Sequence, residues 1–456
     1  MTLKLSVPVA WKIVPLHEVT EVVMGQSPSG EFVNQAGDGV PFFQGKAEFG
    51  ELNPKPKKFC TQPKKMALPG DVLLSVRAPV GPTNVADQEV CIGRGLSAVR
   101  ASLGVGRKYL LYYFRAIEPW MSQQGTGSTF KAVSGGFIKG LPFALPPLEE
   151  QKAIADKLDE LLAQVNHLKA RLDTIPAILK RFRQSVLAAA VSGRMTEQWR
   201  KEKRLHPAIE VELGSLINKG PQNGIYKPSS AYGEGVRIIR IDGFYDGELV
   251  SWSGMKRLGI SCEELEKWRV NSGDILINRV NSIEYLGKCA LVRHVPEDAV
   301  FESNIMRFSV DPEKSIQEYV MRCLSSRPVK RQLVGKAKHA VNQASINQKD
   351  VKSCVIPLPH IEEQAEIIRR VNQLFAFADQ IEQQVKNAQA RVNKLTQSIL
   401  AKAFRGELTA EWREAHPELI SGENSAMALL ERIKAEKEKP PGVRSGRKDK
   451  QTSLPV

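Results

Sequence analysis

Polar and basic side chains follow short predicted strands, or lie in glycine-containing loops, at two separate places in the chain. Arg, Lys, Asn and Gln can make paired hydrogen bonds with the edges of DNA bases, and cations can hold phosphates. These residue types therefore predict two sets of DNA contacts. The first set is Gln44, Lys46, Arg77, Ser128, Thr129 and Lys131. The second set is Arg240, Arg279, Asn281, Lys338, Asn342 and Gln343. The alternative for any one of them is an ordinary solvated side chain.

No catalytic motif accompanies these residues. The sequence contains no G-x-x-x-x-G-K-[ST] phosphate loop, no G-x-S-x-G elbow and no H-E-x-x-H. Asn53-Pro54 continues into Lys55, which excludes the Asn-Pro-Pro-aromatic motif of amino-group methyltransferases. The seven histidines lack metal-ligand spacing, and the six cysteines form no C-x-x-C pair. We therefore predict no catalytic residue, no metal ligand and no cofactor in this chain.

The composition favours a globular protein with a polyanionic partner. Of the 456 residues, 42% are hydrophobic, which suffices for several cores. Lys and Arg number 65 against 50 acidic residues, so the net charge is +15, which fits a polyanionic partner such as nucleic acid, although many basic proteins bind none. The first residues have no apolar segment of signal-peptide length, and no run of 18 apolar residues occurs. The sequence thus predicts a cytoplasmic protein without a membrane partner.

A long internal repeat organises the chain. Residues 146–200 recur without a gap as residues 359–413, and 17 of the 55 positions are identical. The identities concentrate at the ends of the repeat, where Glu-Glu-Gln, Gly and Trp-Arg occur in both copies. A repeat of this kind predicts a duplicated architecture.

Each copy has the apolar spacing of one long helix. The first copy places apolar residues at Ile154, Leu158, Leu161, Val165, Leu168, Leu172, Ile175, Leu179, Phe182 and Val186. The second copy places them at Ile367, Val371, Leu374, Ala378, Ile381, Val385, Ala388, Val392, Leu395 and Ile399. Stripes this long require a partner helix, so we predict that the two helices pair as an antiparallel coiled coil. Pro176 should kink or interrupt the first helix, and Gly193 and Gly406 should end the two helices.

Two segments rich in short strands precede the two helices. "GVPFFQG", "DVLLSV", "ADQEVCIG" and "LSAVRAS" indicate strands in the first segment, with a helix near Lys108 to Met121. "GVRIIRIDGF", "SGDILINRV" and "IQEYVMRCLSS" repeat that order in the second. We predict an α+β fold with two mixed α/β domains separated by the two long helices and related by a pseudo-twofold internal repeat. The expected segments are 1–145, 146–205, 206–357, 358–435 and a basic, disordered tail, 436–456.

Two related but unlike domains on one helical spacer would contact two separated DNA segments. Because the domains differ in most residues, the two segments should differ in sequence. The predicted target is therefore bipartite and asymmetric.

The repeats and the tail "HPELISGENSAMALLERIKAEKEK" together resemble a known family. They are similar to the central, distal and C-terminal regions of specificity subunits of type I restriction-modification enzymes, closest to the K family, the EcoKI group. The two globular segments match that family only in their general frame of strands and turns, and not in most residues, as the target recognition domains of this family do.

The resemblance implies a DNA-reading subunit with partners that do the chemistry. Two modification subunits would bind S-adenosylmethionine and methylate adenine, and restriction subunits would use ATP and magnesium. Partner contacts would fall on Glu149, Glu150, Gln151, Trp199, Arg200, Glu362, Glu363, Gln364, Trp412 and Arg413. The alternative for both tryptophans is packing beneath the helix ends, and the paired glutamates also suit the first turn of a helix.

Two other functions remain open from the residues alone. A stand-alone, two-headed DNA-binding or scaffold protein with a coiled coil would need no methyltransferase partner. A nuclease would need an acidic metal site.

Overall fold

The structure is a computed structural model that describes residues 5–125, 132–340 and 343–439. The chain forms two compact units, and each is described separately. Unit 1 contains residues 1–172 and 388–456, and unit 2 contains residues 173–387. Two long helices each run from one unit into the other, so the unit boundaries fall inside helices and not at their starts. The five segments expected from the sequence stay a prediction.

The N-terminal part of unit 1 is a domain of short strands and helices. Its strands are β1 (Lys12–Pro15), β2 (Thr20–Met24), β3 (Val33–Asn34), β4 (Val40–Phe43), β5 (Phe59–Cys60), β6 (Met66–Ala67), β7 (Val72–Ser75), β8 (Thr83–Val85), β9 (Val90–Ile92), β10 (Leu96–Ala101) and β11 (Pro142–Leu145). Its helices are α1 (Leu16–Val19), α2 (Arg107–Met121) and α3 (Gly135–Lys139), followed by the long helix α4 (Leu148–Val191). The predicted helix at Lys108 to Met121 is confirmed as α2.

The strands of this domain form an antiparallel sheet, β2-β10-β7-β8, a mixed sheet, β3-β5-β4-β9-β6, and the pair β1-β11. All four residues of β7 are buried, because its apolar run is covered on both faces. Helix α2 packs Tyr109 and Tyr113 against Phe143 of β11 and Phe404, with ring centroids 4.9–5.9 Å apart. The last turns of the second long helix therefore belong to the core of unit 1.

Unit 2 repeats this plan with additional elements. Its strands are β12 (Ile209–Glu212), β13 (Ile217–Asn223), β14 (Tyr232–Ile239), β15 (Phe244–Tyr245), β16 (Glu248–Leu249), β17 (Arg257–Leu258), β18 (Ile275–Asn278), β19 (Val280–Asn281), β20 (Cys289–Leu291), β21 (Ala299–Phe301), β22 (Ile305–Val310), β23 (Lys338–Ala340), β24 (Gln343–Ser345) and β25 (Val355–Leu358). Its helices are α5 (Glu197–Glu202), α6 (Cys262–Trp268), α7 (Gln317–Ser325), α8 (Arg327–Gly335), α9 (Gln348–Lys352) and the long α10 (Ile361–Phe404).

The sheet order shows the repeat directly. The sheet β13-β22-β18-β20 of unit 2 has the order of β2-β10-β7-β8 in unit 1. The pair β12-β25 places Ile209 opposite Leu358, as β1-β11 places Lys12 opposite Leu145. Unit 2 also contains the sheets β17-β14-β21, β15-β16 and β19-β24-β23. The predicted duplication of a mixed α/β domain is confirmed.

After α10 the chain returns to unit 1 as α11 (Ala410–Ala415) and α12 (Ala426–Glu438). Leu429, Leu430 and Ile433 of α12 are buried in the core that also contains α2. Lys437 donates a hydrogen bond to the carbonyl of His17 at 2.7 Å. The C-terminal segment is thus a packed part of unit 1. The basic end predicted to be disordered lies outside the described residues, apart from its first four residues.

The apolar stripes of the two long helices meet in both units. In unit 1 Ile154 and Leu158, near the start of α4, share a core with Ile399, near the end of α10. In unit 2 Val186, near the end of α4, shares a core with Ile367, near the start of α10. In each unit the start of one helix packs on the end of the other, so the predicted antiparallel seam is confirmed.

The caps, the proline and the seam leucines of the long helices agree with the sequence prediction to different degrees. Gly193 and Gly406 follow the helix ends with φ of +69° and +74°, as expected for glycine at a C-terminal cap. The interruption predicted at Pro176 does not occur, since α4 continues through it; one N–H is missing, but apolar packing continues on both sides. Leu168 and Leu395 were assigned to the seam and are instead 47% and 45% exposed. No helix in the described ranges is long and apolar enough to cross a membrane.

Candidate nucleic-acid interface

Arg77 marks one edge of the domain in unit 1. It is exposed and lies two residues beyond β7, where it pairs with Ala132 in an isolated antiparallel bridge. The N–H of Val133 donates to the carbonyl of Val76 at 3.0 Å. Ala132 and Val133 are therefore fixed beside Arg77 and Val76. Ser128, Thr129 and Lys131 lie outside the described residues.

Gln44 lies on backbone adjoining the same edge. It is exposed directly after β4, and its carbonyl approaches Gly95 so closely that a Cβ there would stand 2.2 Å from the oxygen. The carbonyl of Gly95 in turn accepts a hydrogen bond from the N–H of Val76 at 2.9 Å. A glycine is required at this crossing, where the backbone of Gly95 contacts both the carbonyl of Gln44 and the residue before Arg77. We call Gln44, Lys46 and Arg77 the first edge.

Lys46 is exposed and close enough to Glu118 to affect its ionisation. Burial raises the pKa of the Glu118 carboxyl, and the charges of Lys46 and Arg115 oppose that shift. An acidic neighbour of Lys46 is thus Glu118, whose pKa is raised, and the Lys46 side chain is exposed at the first edge.

The corresponding edge of unit 2 is the small sheet β19-β24-β23. Val280 of β19 pairs with Ser345 of β24, and Lys338 of β23 pairs with the same residue. The N–H of Ile346 donates to the carbonyl of Arg279 at 2.9 Å, which repeats the bond between Val133 and Val76. The sheet thus brings together four predicted residues, which we call the second edge: Arg279, Asn281, Lys338 and Gln343.

The predicted DNA-contact residues of the second set differ in their exposure and in their hydrogen bonds within the chain. Lys338 and Gln343 are exposed, and Asn281 is half-buried. Asn342 lies outside the described residues. Arg279 donates through Nη1 to the carbonyl of Ser303 at 3.0 Å, so part of its guanidinium is used internally.

Arg240 is half-buried and held within unit 2. Its Nε lies 3.4 Å from Oε2 of Glu302, whose Oε1 accepts the N–H of Ile241. No described contact brings Arg240 to the second edge. Arg240 follows β14, which belongs to a different sheet from the second edge. Its place after a strand did not reveal that it faces the carboxylate of Glu302.

Glu150 was predicted to bind a partner and is instead fully buried. Its Oε2 accepts from Nε1 of Trp11 at 2.8 Å, and its Oε1 accepts from Oγ1 of Thr409 at 2.8 Å and Nε of Arg413 at 2.9 Å. We call these four residues the Glu150 cluster. It joins the start of α4, the N-terminal segment and the chain after α10 inside unit 1.

Glu363 occupies the equivalent position in unit 2 and is also fully buried. Its Oε1 accepts from Oγ1 of Thr196 at 2.6 Å and Nη1 of Arg200 at 2.8 Å. Its Oε2 has no hydrogen-bond partner among the described residues. The sheet register places Ala208 where unit 1 has Trp11, which explains the missing donor. We call Glu363, Thr196 and Arg200 the Glu363 cluster.

Gln151 and Gln364 tie each domain to its long helix. Oε1 of Gln151 accepts the N–H of Gly106 at 2.8 Å, and Oε1 of Gln364 accepts the N–H of Ile316 at 2.9 Å. Both side chains are fully buried. In this conformation the buried glutamates and glutamines make hydrogen bonds within the chain. The sequence did not reveal these contacts, because most of the partner residues lie far away along the chain.

Direct partner contact stays a prediction for the more accessible residues of the repeated ends. Glu362 is exposed, and Glu149 is half-buried beside Lys152. Trp199 is half-buried, and the half-buried Trp412 stacks on His416 with ring centroids 4.8 Å apart. Arg200 and Arg413 keep 16% and 17% of their side chains exposed.

The sequence prediction missed cations that the structure places near the second edge. Arg327, Lys330 and Arg331 line an open groove on α8. Lys288 lies 3.9 Å from the ring centroid of Tyr245, and burial lowers its pKa. An available signal was the absence of any acidic residue between Glu318 and Asp350.

The fold defines a class of protein in which a duplicated α/β domain is combined with paired long helices. Among the residues described, no group of His, Cys, Asp and Glu is arranged to hold a metal ion.

Comparisons with known proteins identify the family. The family model described as "Type I restriction modification DNA specificity domain" matches residues 8–177 and 210–389. The chain is 36% identical to the EcoKI specificity subunit of Escherichia coli strain K12, over 97% of this chain and 99% of that one. It is 35% identical, with the same coverage, to the StySPI specificity subunit of Salmonella potsdam. The chain belongs to the family of type I restriction-modification specificity subunits.

A solved structure supports the fold independently. It is described as "Structural basis underlying complex assembly and conformational transition of the type I R-M system". The match covers 89% of this chain and 100% of that chain, with a TM-score of 0.66 and 19% identity.

Proposed function

We propose that this chain selects the DNA site for a type I restriction-modification complex. The domain of unit 1 reads one half-site through the first edge, and the domain of unit 2 reads the other through the second edge. The two edges present different side chains, so the target is bipartite and asymmetric. The single observation that carries this proposal is the repeated bond, Val133 to Val76 and Ile346 to Arg279, which supports a polar edge in each unit.

The chemistry belongs to the partners in this proposal. Two modification subunits methylate adenine in the two half-sites, and restriction subunits join them for cleavage. The recognition domains are residues 1–145 and 206–357, and the complex works on DNA in the bacterial cytoplasm. The accessible residues at the repeated helix ends, Glu149, Glu362, Trp199 and Trp412, are the proposed contacts with the modification subunits.

The proposal is tested by mapping methylated adenines genome-wide in cells with and without this gene, while the modification subunits are kept. We expect one bipartite motif to lose methylation when the gene is removed. A stand-alone DNA-binding protein would leave the pattern unchanged and would not copurify with a methyltransferase. The subunit is favoured because the relatives that match its full length are described as subunits of restriction enzymes.

A further inference from the structure

A stretch of unit 2 contains many cations and no acidic residue of its own, although Glu318 just before it pairs with Arg322. Residues 319–349 contain no Asp or Glu and seven cations: Arg322, Arg327, Lys330, Arg331, Lys336, Lys338 and Lys349. The corresponding stretch of unit 1 is residues 109–136, because Tyr109 and Tyr319 both donate to equivalent carbonyls, of Ala144 and Pro357. That stretch contains only Arg115, Lys131 and Glu118 as charged residues. The excess charge is therefore a property of unit 2.

Helix α8 presents part of this charge on one face. Val329 and Leu333 are buried in the core, whereas Arg327 and Arg331 are exposed on the other side. Nζ of Lys330 donates to the carbonyl of Glu284 at 2.8 Å, so its ammonium is held at the base of the groove. Within the part of the chain that the structure describes, none of these three cations has a carboxylate within ion-pair distance, although Glu284 attracts Lys330 from further away.

The groove is close to the second edge. Two residues separate the end of α8 from the start of β23, and Glu284 lies in the loop that follows β19. Burial lowers the pKa of Lys330; the charges of Cys289 and Glu284 oppose that shift, and the like charge of Lys180 adds to it. Unpaired cations gathered in this way favour an anion that can approach from solvent.

We propose that Arg327, Lys330 and Arg331 of α8 bind the phosphate backbone of target DNA next to the half-site read by the second edge, and that the described residues of the corresponding stretch of unit 1 provide no equivalent surface. The inference rests on the proposed function and adds that the two domains contribute unequally to electrostatic binding. Duplex DNA is the occupant because the groove is open and basic, and because only two residues separate α8 from a strand of the second edge.

The test measures DNA binding by the complex of this chain with its modification subunits, as a function of salt concentration. The variant R327Q/R331Q removes two exposed cations. We expect the slope of log affinity against log salt to become shallower by roughly 2, because each phosphate contact contributes about 0.9. Target and scrambled duplexes should both bind more weakly, with their affinity ratio unchanged. K330Q, assayed separately, should reduce the slope by about 1.

The matched control is K314Q/K386Q, which removes the same charge from lysines already paired with Asp311 and Glu382. It should leave the salt slope at the wild-type value. The inference is overturned if R327Q/R331Q binds with the wild-type slope, or if it loses discrimination between target and scrambled DNA. A wild-type complex that never prefers the target would instead overturn the proposed function. Thermal unfolding of each variant checks that the fold is retained.

Discussion

At the scale of single residues, the two buried glutamates show how a duplicated sequence acquires different roles. Glu150 has donors for both carboxylate oxygens, whereas Glu363 has donors for only one. The difference comes from Trp11, whose place is taken by Ala208 in the second unit. A buried acceptor without a donor is less stabilising, so the two clusters should respond differently to the same substitution.

Glu150→Gln should destabilise unit 1 by about 3 kcal/mol, because an amide NH2 must face a buried donor and Arg413 loses its counter-charge. Glu363→Gln also removes the counter-charge of Arg200 but should cost less, about 2 kcal/mol, because the NH2 can occupy the position of the unpartnered oxygen. Urea unfolding of the purified chain measures both. Equal losses would contradict this account of the two clusters.

The six free thiols should differ sharply in reactivity. Cys262 is exposed, and the other five are buried. Burial raises the pKa of Cys91, Cys289 and Cys354 to about 11 and that of Cys323 to about 12, which suppresses the reactive thiolate.

A thiol reagent at pH 8 should therefore modify one cysteine rapidly in the native chain and six in denaturant. Cys262→Ser should abolish the rapid phase. Rapid modification of two or more thiols in the native protein would show that the cores open more readily than their packing indicates.

At the scale of elements, the sequence predicted what depends on local spacing. Apolar steps of three and four gave the long helices, and the two glycines gave their ends. Leu168 and Leu395 were wrongly assigned to the seam, because apolar periodicity does not show which turns of a helix pack against another helix. The internal role of Glu150 was missed because its donors lie 139, 259 and 263 residues away.

The same limit applies to the candidate site. The sequence predicted Arg77 and Asn281 from their places near strand ends, and the structure pairs Arg77 with Ala132 and Asn281 with Ala344. It gave no indication that Arg240 faces Glu302, because sheet neighbours are not adjacent in sequence. The charge on α8 was visible, but its separation from the buried Val329 and Leu333 required the packing.

The seam can be tested with two leucines of α4. Leu158 is fully buried and Leu168 is 47% exposed. Leu158→Ala should lower the free energy of unfolding by about 2–5 kcal/mol, because it leaves a cavity in the core of unit 1. Leu168→Ala should change it by less than about 0.5 kcal/mol. Denaturant titration followed by circular dichroism distinguishes them, and a large loss for Leu168→Ala would restore the original seam assignment.

At the scale of the whole molecule, one chain carries two unlike edges, the first edge in unit 1 and the second edge in unit 2. Each edge is supported by the same backbone bond but carries different side chains, and cationic α8 belongs to unit 2 alone. The net charge of +15 then provides general attraction to DNA, while the edges provide the choice of sequence.

The most direct test is methylated-adenine mapping with Arg77→Ala and Asn281→Ala variants, each expressed with the modification subunits. We predict that Arg77→Ala relaxes base choice in one half of the bipartite motif and Asn281→Ala in the other, each by about 1–3 kcal/mol of discrimination. A variant that alters both halves together, or two variants that alter the same half, would contradict the assignment of one half-site to each unit.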